Sequence, residues 1–461
     1  MSEADAPLST PAAGFYEAAH KIYPREVKGR FASVRNQTVV LLLGLFYGAA
    51  WLTWDGQQAL LFDLPARKFH IFGLTLWPQD FFYMALLLII AAWSLFFFTA
   101  LGGRLFCGYA CPQTVWTELF LWIERRTEGT RAQRMKLDQG PATMHKALRK
   151  GAKYAAWLAV AGFTGFTFVG YFTPIRSLGA QLIGGTLGAW ATFWVCLYSL
   201  ATFGNAGFLR EQVCKYMCPY ARFQSAMFDK DTLIISYDAV RGEPRGARRR
   251  GSDPKLQRLG DCIDCTLCVQ VCPTGIDIRR GLQYECIACA ACIDACDDVM
   301  DKMGSPRGLI RYTTEHAMHG KATHLARPRM FVYGSLLLLA ASTIVYSLSV
   351  RTPLILDVIR DRNALYREAS GDRIENTYTI KVINEDDRPH RYRLETAGLH
   401  GLELVEPADP IEVGPGTVGS VPMRLQAPRE NASGVHPITL TITALDAPKL
   451  TRTERTRFLG P

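Results

Sequence analysis

Cys262-Ile-Asp-Cys265-Thr-Leu-Cys268-Val-Gln-Val-Cys272-Pro273, answered by Cys286-Ile-Ala-Cys289-Ala-Ala-Cys292-Ile-Asp-Ala-Cys296-Asp297, is the stretch on which the reading of this chain turns. Each run is C-x2-C-x2-C-x3-C, the spacing of bacterial two-cluster ferredoxins. Three thiolates set three residues apart wrap a tight loop around three corners of a cube. The fourth is carried away on the following turn and reaches a second cube. The spacing therefore predicts two 4Fe–4S clusters, one on Cys262, Cys265, Cys268 and Cys296, the other on Cys286, Cys289, Cys292 and Cys272. Small or apolar residues between the ligands (Ile263, Leu267, Ile287, Ala288, Ala290, Ala291) let the backbone approach the sulfides and exclude water. Structural zinc is the rival, but it uses two C-x2-4-C pairs rather than two four-cysteine runs. Asp297 stands where the first run has Pro273, a departure that bears on the potential of one cluster.

Outward from this segment the chain reads as membrane. Five charge-free stretches reach the roughly 20 residues that a bilayer requires: 36–54, 81–103, 154–175, a window within 177–209 whose helix is expected to begin near Gly184, and 330–350. Trp51, Trp54, Trp77 and Phe81 sit at span ends, as interfacial aromatics do. Basic residues alternate between loops. Lys21, Arg25, Lys28, Arg30 and Arg35 precede the first span, and a dense basic loop runs from Arg104 to Lys153. The intervening loops hold only Arg67 and Lys68, or Arg176. The positive-inside rule then puts the N-terminus and the cysteine runs in the cytoplasm and the C-terminus outside. The formal net charge of +10 is explained by these flanks, and no nucleic-acid motif accompanies it. Thirteen cysteines in a chain without a signal peptide point to metal rather than to a disulfide framework. Cys196, within the fourth span, reads as a small buried apolar residue.

A second pattern lies at the span ends. Cys107-Gly-Tyr-Ala-Cys111-Pro112 follows the second span and Cys214-Lys-Tyr-Met-Cys218-Pro219 follows the fourth. Both are C-x3-C-P, and both precede an expected amphipathic helix. If the two halves pack face to face, four thiolates converge near the membrane surface. Soft thiolates select copper(I), zinc or iron–sulfur clusters. The four can bind a substrate metal such as copper, hold a third cofactor, or cycle through a disulfide. Arg104, Lys215 and Arg222 are placed to lower their pKa values. His316, His319 and His324 precede the last span, with no acidic or cysteine partner at fixed spacing. They could bind metal, but the favoured reading is a solvated juxtamembrane segment. Residues 241–250, rich in Gly and Arg, read as a flexible linker, and the first fourteen residues as a disordered tail. No span contains histidine, which argues against transmembrane haem, and no G-x-G-x-x-G supports a nucleotide domain.

After Arg351, alternation at Tyr378, Ile380 and Val382 and again over 437–444, with turns at 384–387, 414–416 and 427–428, predicts a β-sandwich of Ig-like size. It has no cysteine, its His400 and His436 are scattered, and it reads as an interaction module. The fold class is thus a multidomain membrane protein: an α-helical membrane domain of five spans, a two-cluster ferredoxin-like domain and a C-terminal Ig-like β-sandwich. The expected boundaries are a cytoplasmic tail over 1–35, a four-span domain over 36–229, the ferredoxin-like domain over 230–329, the fifth span over 330–350 and a periplasmic Ig-like domain over 351–461.

The chain resembles the CcoG/FixG/RdxA family of accessory proteins for cbb3-type cytochrome oxidase assembly. The resemblance rests on Phe62-Asp-Leu-Pro-Ala-Arg-Lys68, Trp77-Pro-Gln-Asp80, Cys107-Gly-Tyr-Ala-Cys-Pro-Gln-Thr-Val-Trp116, Trp122-Ile-Glu-Arg125 and Cys214-Lys-Tyr-Met-Cys-Pro-Tyr-Ala-Arg-Phe-Gln-Ser-Ala-Met-Phe-Asp229. The C-x3-C-P pairs also look like those of NapH- and NosR-type membrane ferredoxins, which generally lack the terminal sandwich. The resemblance implies a bacterial inner-membrane cupric reductase that makes copper(I) at or near Cys107, Cys111, Cys214 and Cys218. The implied partners are the copper ion as substrate, a copper-exporting P-type ATPase and the oxidase assembly factors; membrane lipid follows from the spans, and whether the chain pairs as a homodimer is left open. A general electron-transfer subunit and a copper chaperone without turnover are the alternatives.

Overall fold

The computed structural model describes residues 21–461 except Asp55, 251–256, Leu325, Arg362, Asn363, Asp387 and 407–409. The tail expected over the first fourteen residues lies outside the described residues. The chain forms two compact units, Met1–Ala340 and Ala341–Pro461.

In the first unit, helix Phe81–Gly102 is apolar on all sides. It starts beyond a turn in which Asp80 accepts the Trp77 N–H at 3.1 Å. It stops at Gly103, whose positive φ of 59° is a backbone conformation that glycine adopts readily. Helix Pro328–Ser349 opens on proline at its first position, where no N–H is needed. Both helices are long and apolar enough to cross a membrane, and their most apolar stretches are 11% and 0% buried, unlike core helices. The other three expected spans are helical without meeting that combination of length and hydropathy. Arg30–Ala49 ends before a strand at Thr53–Trp54. Met144–Gly170 carries Lys146, Arg149, Lys150 and Lys153 near its start. The fourth window is broken into Ile175–Ile183 and Ala189–Thr202, continued by a π-turn over Phe203–Leu209. The Gly184-Gly185 pair, with Gly185 at φ 67°, makes the break, so the helix starts later than the sequence led one to expect. Cys196 is exposed on this helix rather than buried.

The amphipathic helices expected after the cysteine pairs are Pro112–Glu128 and Pro219–Met227. The first buries Phe120 and Ile123 against Trp157 and Ala161, and the Phe120 and Trp157 rings stack at 5.2 Å. Its buried Glu124 pairs with Arg134 at 3.1 Å and Arg210 at 3.0 Å. Glu128 pairs with Lys153 at 2.8 Å and Lys150 at 2.9 Å. Part of the basic loop is therefore internal ion pairing. Removing one member of such a buried pair costs about 3–5 kcal/mol, because the other charge is left unpaired.

The cysteine-run segment is closed by an antiparallel strand pair, Ile234–Tyr237 with Ile310–Thr313, whose Ile235, Tyr237 and Ile310 pack on Ile293, Met300 and Leu309. The expected linker is not free over 241–248. Arg241 bonds Asp261 at 2.5 Å and the carbonyls of Arg307 and Pro306. Arg248 bonds the Gly260 carbonyl at 2.9 Å and Ser305 at 3.0 Å. These guanidiniums clamp the segment onto the fold, a role that composition alone reads as solvation.

The second unit packs two antiparallel sheets. One runs Glu403–Glu406, Thr417–Pro428, Arg373–Asn384, Leu354–Arg360, with Arg367–Ala369 beside Arg373–Asn384. The other runs Ile411–Val413, His390–Ala397, Val435–Ala444, Thr451–Leu459. Alternate residues Tyr378, Ile380 and Val382 meet Leu440, Ile442 and Phe458 in the core. The Tyr378 hydroxyl ties the sheets by donating to the Arg457 carbonyl at 2.8 Å. His390, which the sequence reading passed over, is buried between Asp386 at 3.0 Å and Asp446 at 2.6 Å.

Candidate metal centres

The two cysteine runs enclose two adjoining cavities. Cys262, Cys265, Cys268 and Cys296 line one, walled by Ile263, Leu267, Met300 and Leu309. Cys272, Cys286, Cys289 and Cys292 line the other, walled by Ile276, Ile287, Ala288 and Ala290, and Cys268 borders both. The crossover of the fourth cysteine of each run is thus present in the geometry.

The loops share a device that spacing does not reveal. Asp264 and Thr266 in the first run, and Ala288 and Ala290 in the second, all have φ between 53° and 60°. Left-handed backbone costs such residues roughly 1–2 kcal/mol each. Alternating hand turns successive N–H groups to one side, a concavity that suits anionic clusters. Burial pushes the Cys268 thiol up to about 11 and those of Cys286 and Cys296 up to about 12. Bare thiolates would be costly here. Four sulfurs around each apolar cavity fit a cationic iron core that holds them deprotonated.

The C-x3-C-P pairs, 107 residues apart (214 − 107), also come together. The Cys107 thiol donates to Gln224 Oε1 at 3.3 Å. Burial first, then the neighbouring Cys111 and Cys214, pushes it up to about 12, and Arg104 only partly offsets this. Burial, Cys111 and Cys218 likewise push Cys214 up to about 11, and burial raises Cys111. The expected lowering by basic neighbours is overturned here, because desolvation outweighs Arg104.

This thiol cluster is joined to the second cavity. Cys107 packs against the buried cluster of Val271, Ile287, Cys289, Ala291 and Ala295. A Cβ on Gly108 would lie 2.7 Å from the Ile287 carbonyl oxygen and 2.8 Å from that of Ala288, so only glycine permits this approach. Buried Arg104 donates to the carbonyls of Tyr284, Ala221 and, at 3.4 Å, Cys286. Arg35 donates to the Cys289 carbonyl at 2.9 Å. Asp294, between Cys292 and Cys296, accepts the N–H groups of Phe31 at 3.2 Å and Ala32 at 2.7 Å, capping helix Arg30–Ala49. Sequence reasoning missed these tethers, because each partner lies more than 100 residues away.

Comparison with known proteins gives three family matches: a 4Fe-4S dicluster domain over residues 209–315, a 4Fe-4S binding domain over 83–130, and the IG-like fold at the C-terminal of FixG over 344–461. Protein RdxB of Cereibacter sphaeroides is 39% identical, covering 90% of this chain and 88% of that protein. Nitrogen fixation protein FixG of Rhizobium meliloti is 39% identical, covering 80% and 78%. Protein RdxA of Cereibacter sphaeroides is 38% identical, covering 93% of each.

Proposed function

The chain belongs to the FixG/RdxA family of iron–sulfur electron-transfer proteins, and from that premise we propose that it reduces copper(II) to copper(I) at Cys107, Cys111, Cys214 and Cys218. In this reading Cys262, Cys265, Cys268 and Cys296 hold one 4Fe–4S cluster, and Cys272, Cys286, Cys289 and Cys292 hold the other. When bound, each cluster supplies one electron at a time, which is the requirement of one cupric ion. The chain crosses a bacterial inner membrane five times, with the metal centres in the cytoplasm and the sandwich in the periplasm. It hands copper(I) to a copper-exporting ATPase that serves assembly of a cbb3-type oxidase.

The observation that carries this reading is the packing of Cys107 on the buried cluster that includes Ile287 and Cys289, with Gly108 against the Ile287 and Ala288 carbonyls. An acceptor held by the four thiols would sit beside the loop that would hold the second cluster. Soft thiolates prefer copper(I) to copper(II), so product binding favours the reduction. Arg104 keeps the loop and the thiol helix in register through its three carbonyl contacts.

Protein reduced without oxygen and mixed with copper(II) is expected to yield one copper(I) per electron lost. Cys107→Ser with Cys111→Ser abolishes this and leaves both cluster EPR signals. Cluster reoxidation without copper(I) contradicts the proposal. A second reading has one observation in its favour: the 4Fe-4S binding match over 83–130 includes Cys107 and Cys111. The four thiols would then hold a third cluster, and the chain would be a relay to another membrane enzyme.

A further inference from the structure

Asp231, His316 and His324 come from separate parts of the sequence and converge on one point. One ligand atom of each lies within 4.8 Å of the others. Asp231 Oδ1 is 2.8 Å from His316 Nδ1 and 3.9 Å from His324 Nδ1. It also accepts the His324 backbone N–H at 3.0 Å. The His316 backbone is fixed separately, its N–H donating to the Lys230 carbonyl at 3.0 Å. The imidazoles stand nearly perpendicular, at 87°, with ring centres 6.3 Å apart. The sequence offers no acidic partner for these histidines at fixed spacing; the fold supplies one from 85 residues away.

We infer that Asp231, His316 and His324 form a receiving site for a divalent transition-metal ion, copper(II) in the present case. The chemistry of the donors selects the ion. Two imidazoles and a carboxylate suit copper(II), whereas the four thiols suit copper(I). Ligation needs donor atoms about 2.0–2.2 Å from the ion, hence no two more than about 4.4 Å apart, which Asp231 Oδ1 already meets with both histidines at 2.8 Å and 3.9 Å. His324 is exposed and can swing inward, while Asp231 and His316 are already in contact. The basic side chains nearby have partners of their own, although the Arg327 charge also reaches Asp231. Arg327 pairs with Asp229 and the Ala100 carbonyl, and Lys230 with Glu315 at 3.6 Å.

The location joins this site to the electron path. Asp231 lines one groove with Gly103, Phe106 and Ala110, which flank Cys107 and Cys111, and with Tyr312. The Tyr312 hydroxyl donates to the Ala288 carbonyl, in the loop of the second cavity, at 2.6 Å. The carboxylate of the proposed site thus shares a groove with residues that adjoin the thiol helix in sequence. The competing role is a staple, in which the His316–Asp231 hydrogen bond merely joins two loops. This inference takes its ion from the reductase reading, and the test separates the two.

The full chain in detergent, with oxidised and therefore EPR-silent clusters, is titrated with copper(II) chloride. The expected result is one equivalent of copper(II) showing hyperfine coupling to two nitrogens. Outer-sphere partners alone are worth about 10- to 100-fold in metal affinity, so His324→Gln should weaken binding at least about tenfold and remove one nitrogen coupling. His316→Gln should do the same, with the visible iron–sulfur absorbance confirming the fold. Copper(II) without nitrogen coupling, or coupling and affinity unchanged in both variants, would overturn the site. If instead the nitrogen-coupled signal survives full reduction of the clusters, the site stands and the reductase reading falls.

Discussion

The two sulfur-rich regions are built in opposite ways. The runs from Cys262 to Cys296 place eight cysteines within 35 residues (296 − 262 + 1), and their cavities follow from local loop geometry. The thiols of Cys107, Cys111, Cys214 and Cys218 meet only because distant helices pack correctly. Glycine at 108, Arg104 across three carbonyls and Asp294 on helix Arg30–Ala49 hold them to the second run. A local site tolerates movement of its surroundings; an assembled one is as precise as its contacts.

The largest expected effect concerns thiol reactivity. Moving Cys107 from 9.0 to about 12 removes about three powers of ten of thiolate near pH 8. The more basic thiolate is intrinsically more reactive, which returns roughly one and a half of these. Cys107 in metal-free protein should thus be alkylated about thirtyfold more slowly than an ordinary thiol, with the rate still climbing above pH 10. Peptide mass mapping of iodoacetamide-treated protein reads this, and a rate that levels off near pH 9 breaks the picture of a desolvated assembled site.

Next in size is Gly108→Val. Its side chain meets backbone oxygens that cannot turn aside, so the thiol helix must lift from the second cluster loop. Copper reduction is expected to fall at least about tenfold, by the distance sensitivity of reactions between held groups, with iron content unchanged. Loss of iron together with activity would mean that the runs are not locally built. The smallest effect is at Asp294→Ala, which removes a helix cap worth about 1 kcal/mol. Thermal melting should report that loss with both cluster signals intact, and a melt equal to the wild type would show that the cap carries no stability.

What the sequence made legible follows the same division. Ligand spacing is a local property, so the partition into Cys262, Cys265, Cys268, Cys296 and Cys272, Cys286, Cys289, Cys292 could be read from it, as could the alternation at Tyr378, Ile380 and Val382. The repeated C-x3-C-P made it possible to expect the four thiols together. The sign of their pKa shifts was not legible, because it depends on how deeply packing buries them against Arg104. The fourth window was legible in part: a helix start near Gly184 could be expected, but not the separate helix Ile175–Ile183 ahead of it nor the start at Ala189, which Gly185 at φ 67° separates. His316 and His324 were noticed but read as solvated, and Asp231 stayed invisible, because nothing in one strand of text aligns residues 231, 316 and 324.

Iron and acid-labile sulfide counted on intact, anaerobically prepared protein test the central claim most directly. Two clusters and four thiols left for copper predict about eight irons per chain. About twelve irons per chain, falling to about eight in Cys107→Ser with Cys111→Ser, would mean that those thiols hold iron themselves and would contradict copper reduction at that site.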